Sequence, residues 1–170
     1  TNQSIVVYGS WSNASGFEAE SGSTVELAGT DTVTVFGSNT FEKLICTNVS
    51  KQINFQAGAT QDVDNVFTFG GPSDTSLVLR STSPGTQWGL DIDAGTVVSI
   101  DKVDVQDSDA RPGTTVTALD SKDSGNNSNW VFTVSGLTNI WIGESSASWG
   151  EVSNWTEGRA PIPADARVII

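Results

Sequence analysis

The chain has no histidine and no methionine, one cysteine, one tyrosine, and only eight basic residues against twenty acidic ones. Without histidine, a Ser-His-Asp relay and any His-dependent hydrolase site are excluded. Cys46 alone allows neither an intramolecular disulfide nor a CxxC metal site. At the inward third position of Leu44-Ile45-Cys46 it reads as a small core hydrophobe. A formal charge of −12 repels nucleic acid and anionic lipid, so neither is expected as a partner. That charge suits divalent cations, high salt or plain solubility, and a solvated acidic surface is the simplest account. No signal peptide or membrane-length apolar run occurs, so no membrane insertion is expected. Helical periodicity is also missing from every window of about 11 residues or more.

What is present is β-branched, small and hydroxylated. Thr, Ser, Val, Gly and Asn dominate, which predicts an all-β chain. Short apolar triplets recur in two interleaved series. One comprises Ile53-Asn54-Phe55, Leu77-Val78-Leu79, Val103-Asp104-Val105 and Trp130-Val131-Phe132. The other comprises Leu44-Ile45-Cys46, Phe67-Thr68-Phe69, Leu90-Asp91-Ile92 and Thr115-Val116-Thr117. Corresponding triplets start 23 to 27 residues apart, with turn residues such as Gly58, Pro72, Pro84-Gly85, Gly95, Pro112-Gly113 and Gly125 between strands. Such short links cannot form βαβ units. A β-sandwich would not make alternate strands resemble each other, whereas a coil of stacked rungs does. The expectation is a right-handed parallel β-helix, a β-solenoid with rungs of about 23–27 residues.

Extended segments at 5–8, 23–27 and 32–36, each closed by glycine-containing punctuation, begin the coil. Composition then shifts: Trp141, Trp149 and Trp155 fall close together, followed by Pro161-Ile162-Pro163 and a strand from Ala166 to Ile170. The division expected is 1–138 as the β-helix module and 139–170 as a Trp-rich cap or the beginning of a following module. Large rings would cover an open solenoid end; a sugar-stacking platform is the alternative. The chain reads as an excised segment of something larger.

Ser23-Thr24-Val25-Glu26-Leu27-Ala28-Gly29, Val33-Thr34-Val35 and Asn39-Thr40-Phe41-Glu42-Lys43-Leu44-Ile45 resemble a recurrent module of large bacterial surface proteins, the adhesin-like and filamentous-haemagglutinin-like β-helices. Leu79 to Trp88, Val103 to Ala110, Asp123 to Trp130 and Asn154 to Pro161 with Asp165 to Ile170 are similar to the same proteins. The resemblance implies extracellular display at a cell surface on long multi-module chains. It implies no catalytic signature, since repeats define the family.

The carboxylates are the residues that could carry chemistry. A two-carboxylate glycosidase needs a pair roughly 5–10 Å apart with one raised pKa, and Asp104, Asp107 and Asp109, or Asp91 and Asp93, are candidates. A calcium-dependent lyase would add a base such as Arg80 or Lys102. Calcium alone would use Asp104, Asp107 and Asp109 as ligands, with Asp101, Asp120 and Asp123 nearby; corner Asp and Asn residues also cap their own backbone. No other cofactor is expected. No regular Thr array repeats at the rung period for ice or sugar recognition. Sequons stand at Asn13, Asn48, Asn126 and Asn154. The expected function is a non-catalytic structural or adhesive module, a rigid spacer or self-associating scaffold whose partners are neighbouring modules, copies of itself or surface glycans. The alternative is a carbohydrate-binding or polysaccharide-cleaving β-helix. Pairing of Arg167–Ile170 with a neighbouring edge would allow end-to-end stacking.

Overall fold

The computed structural model describes residues 3–12, 17–47, 50–72, 77–135, 138–143, 146–156, 160 and 167–169. It is a parallel β-solenoid of about 5 turns with almost no helix. In chain order the coil runs β1 (Ser4–Val7), β2 (Phe17–Glu18), β3 (Thr24–Leu27), β4 (Val33–Val35) and β5 (Asn39–Thr47). It continues through β6 (Lys51–Phe55), β7 (Thr60–Gly70), β8 (Leu77–Ser81), β9 (Trp88–Ile92), β10 (Val97–Asp101), β11 (Val103–Val105) and β12 (Ser108–Asp109). It closes with β13 (Val116–Leu119), β14 (Lys122–Asp123) and β15 (Trp130–Thr133).

The coil has three sides. On the first, β1, β3, the second half of β5, the second half of β7, β10, β13 and β15 lie side by side. On the second, β4, β6, β8, β11 and β14 follow in order. On the third, β2 pairs with the first half of β5, that with the first half of β7, then β9 and β12. β5 and β7 each turn a corner without breaking, and the register between them shifts from Phe41 to Lys43. That bulge supplies the bend.

Parallel, in-register pairing stacks each inward residue on its counterpart one turn on. Cys46, Phe69, Ile100 and Ala118 form one such column; Val33, Ile53, Leu79 and Val105 form another. All eight are buried. Phe55 and Trp88 stack at 4.1 Å between centroids, 18° from parallel. Burial pushes the Cys46 thiol up to about 11, leaving an inert packing residue. The third side puts polar groups inside. Buried Asn39 and Gln61 are register partners. Trp11 Nε1 donates to Asn39 Oδ1 (3.1 Å), and Asn39 Nδ2 to Gln61 Oε1 (2.8 Å). Asn39 and Gln61 both also donate to the Gly37 carbonyl. A satisfied amide ladder of this kind fixes register more sharply than packing alone.

The two-series expectation is corrected on four points, one being that Val116 and Ala118 point inward on β13 while Thr115 and Thr117 are exposed. Ile53 lies over Leu79, not Leu77. Leu90-Asp91-Ile92 belongs to the third side, and Val98-Ser99-Ile100 takes the place after Phe67-Thr68-Phe69. Trp130-Val131-Phe132 lies beside β13 on the first side, while Lys122-Asp123 continues the second. Turn length is also less even than 23–27. The advance is 31 residues from Phe67 to Val98 and 18 from Ile100 to Ala118. The longer turn holds extra residues at the corner between Ser81 and Trp88.

Contacts divide the chain into Thr1–Phe132 and Thr133–Ile170. In the second unit β16 (Thr138–Ile140) pairs in parallel with β17 (Arg167–Ile169), so one edge of β17 is used within the chain. Buried Trp155 meets Trp141 and Trp149 edge-on at 5.1 and 4.7 Å, and its Nε1 donates to the Trp149 carbonyl.

Replacing Trp88 with alanine removes the largest ring from the core and is expected to cost about 3–5 kcal/mol in denaturant titration. Tyr8→Ala, at a side chain 69% exposed, should stay within about 0.5 kcal/mol. Equal losses would contradict the core assignment.

Candidate functional site

The structure gives Asp104, Asp107 and Asp109 separate partners. Asp104, buried on β11, faces Arg80 at 3.0 Å and Lys122 at 3.5 Å. Burial works to raise its carboxyl, but hydrogen bonding and charge from Arg80, with Lys122 nearby, hold it below the usual range. Asp109 forms a fork-like pair with Arg111 at 2.8 and 2.7 Å, whose hydrogen bonds keep its carboxyl low.

Asp107 occupies a corner. Its φ is 57°, in the left-handed region that Gly37, Gly58, Gly85 and Asn126 adopt at the same corner of other turns; aspartate tolerates it better than most residues. It accepts from Gly85 N (3.0 Å) one turn before and from Asn126 Nδ2 (2.7 Å) one turn after. Asp123 likewise accepts from Gly125 N and Asn127 Nδ2, and Asp101 meets Lys102 at 3.4 Å. Arg80 and Lys102 therefore face carboxylates of the frame.

Carboxylates gather elsewhere. Among the described residues, Asp62, Asp91 and Asp93 form the group of three acidic side chains whose oxygens lie within 4.8 Å of one another. The third side builds it. Glu18, Thr40, Asp62 and Asp91 are successive register partners on the outward face, and Asp93 follows Asp91 two residues on. A cleft of about 540 Å³ runs beside them, with Phe17, Ser38 and Thr60 on its walls. Thr40 Oγ1 donates to Asp62 Oδ2 at 3.5 Å, while Asp62 Oδ1 is out of solvent with no hydrogen-bond partner. Burial first, then the charges of Asp64, Asp91 and Asp93, push the Asp62 carboxyl up. Burial, Asp93 and Glu42 do the same at Asp64. This donor set is the oxygen type that hard cations take, and a carboxyl pushed up within a carboxylate cluster is a feature that acid–base sites also use.

Of the sequence candidates, Asp91 and Asp93 thus come together, and Asp62 joins them unannounced. Its only signal is its outward position in Gln61-Asp62-Val63-Asp64, one turn from both Thr40 and Asp91. Asn154 is fully buried and donates to the Ser146 and Ser148 carbonyls, so its sequon is structural in the folded chain. Asn126 is exposed, with its amide engaged by Asp107; Asn13 and Asn48 lie outside the described residues, as do 157–159, 161–166 and 170. Comparison with protein-family models, curated proteins and solved structures finds no match to this chain.

A carboxyl whose folded pKa lies above its unfolded value lowers stability as pH rises through that interval, and at neutral pH its penalty is complete. Asp62→Asn should therefore raise the thermal midpoint at pH 7, with the gain shrinking as the pH falls to where Asp62 is protonated. A lowered midpoint at pH 7 would show that the ionised carboxylate is held by a favourable partner.

Proposed function

We propose that the chain is a non-catalytic structural and adhesive repeat module of a large secreted or cell-surface protein, acting as a rigid spacer. The single observation that carries this reading is the use of the conspicuous side chains to build the coil. The inward columns, the Trp11–Asn39–Gln61 ladder and the Asp107 corner all bind one turn to the next. A rod made of such links transmits force through many inter-turn hydrogen bonds and holds whatever it carries away from its anchor. The likeness of its strand motifs to bacterial adhesin-like β-helices supports extracellular display.

A second reading, carbohydrate binding or cleavage with calcium, is favoured by one observation: the cleft beside Asp62 and Asp91, where one carboxyl is pushed up.

Stretching single molecules by their two ends separates the readings. A spacer should yield in successive steps, each releasing one turn of about 20–30 residues and hence roughly 60–100 Å of chain. A glycan panel run with calcium and with EGTA should then show no binding. Collapse in one low-force step would overturn the spacer, and calcium-dependent glycan binding would favour the second reading.

A further inference from the structure

The three sides of the solenoid carry different outward chemistry. On the third, Glu18, Asp62, Asp64, Asp91 and Asp93 concentrate negative charge. On the first, the strands point Val6, Glu26, Ile45, Thr68 and Ser99 outward along one register line, with Lys43, Val66 and Val97 along the next. Val6, Val97, Leu119 and Val131 are 46, 62, 40 and 45% exposed, and these aliphatic side chains share this one side. Its strands carry only Glu26, Lys43 and Asp101 as outward charges, the last beside Lys102, so the side is nearly neutral on a chain of −12.

We propose that this first side is the surface through which two copies of the chain associate laterally, face to face. The inference deepens the spacer reading, on which it rests, by naming where copies meet. Three arguments select a second copy as the occupant. Two copies meeting through the acidic third side would bring like charges together, whereas this side adds almost none, and it carries the exposed aliphatic groups that the second side lacks. Parallel strands in register leave a surface of aliphatic and hydroxyl groups with no outward aromatic platform, which suits an equally flat sheet better than a sugar. The size is also adequate. Seven strands at about 4.8 Å spacing and roughly 15 Å of width give about 500 Å² per copy, or about 1,000 Å² in the pair. That is the lower bound for a specific interface, so the dimer should be weak and reversible.

Sedimentation of the whole chain over a wide concentration range tests this. The expected result is a monomer–dimer equilibrium that tightens with added salt as the repulsion between copies is screened. Val97→Asp should weaken association at least about tenfold by placing a carboxylate in the apolar contact. Ser99→Arg should act in the same direction, and Thr34→Asp on the second side should leave association unchanged. All three side chains point outward, and an unchanged circular dichroism spectrum certifies each fold. A chain monomeric at every concentration, or a dimer indifferent to both first-side variants, overturns the assignment. Either result leaves the stepwise unfolding expected of a spacer untouched, so the two readings fail separately.

Discussion

The structure depends on one constraint: every turn must pair with the next in parallel and in register. Once Ile53 lies over Leu79 and Leu79 over Val105, the side chain at each inward position is chosen by what lies above and below it. Core, corners and surface chemistry all follow. A change of register by one residue would turn every inward group outward, so the fold needs devices that forbid slippage. It has three kinds. Columns of unequal volume, such as Cys46 under Phe69 under Ile100, fit in one alignment. The Trp11–Asn39–Gln61 ladder satisfies its amides only in that alignment, and a buried amide left unpaired costs about 1–3 kcal/mol. The Asp107 corner ties three turns through two side-chain hydrogen bonds.

The same constraint sorts the outer surface. Outward residues also stack, so a modest excess of acidic residues in alternating positions becomes an acidic stripe on the third side, interrupted at Thr40. An excess of valine and threonine becomes an aliphatic plane on the first. The Asp62 carboxyl is pushed up first by its burial on this side and then by Asp64, Asp91 and Asp93, the last two held against it by the next turn. Elsewhere the cations are used in pairs. Arg80 and Lys122 neutralise Asp104, and Arg111 neutralises Asp109, which leaves little positive charge to offset the stripe.

Much of the architecture was legible in the residues. Apolar triplets with outward polar centres announced strands, their recurrence announced stacking, and Cys46 was correctly placed inside. The count of sides was not legible, because the third side breaks the apolar rule. Asn39 and Gln61 point inward, and β5 and β7 round their corner at a bulge that carries no glycine. Apolar triplets alone therefore place Leu90-Asp91-Ile92 in the wrong column and Ile53 against the wrong partner. Mistaken register hid the acidic cluster in turn. Asp62 and Asp91 are 29 residues apart and become neighbours only when the long corner of that turn is counted. Asp104, Asp107 and Asp109 drew attention by their closeness in sequence, yet alternation and a corner send them to different partners.

The register between β6 and β8 is the most direct point of attack, because two alignments make opposite forecasts there. Cysteines introduced by Gln52→Cys and Val78→Cys would sit on register partners, at a separation a disulfide spans. Those introduced by Asn54→Cys and Val78→Cys would be offset by two residues. Under mild oxidation the first pair should cross-link readily within the monomer and the second should not. Cross-linking of the Asn54–Val78 pair in preference to Gln52–Val78 would contradict the three-sided, in-register coil described above.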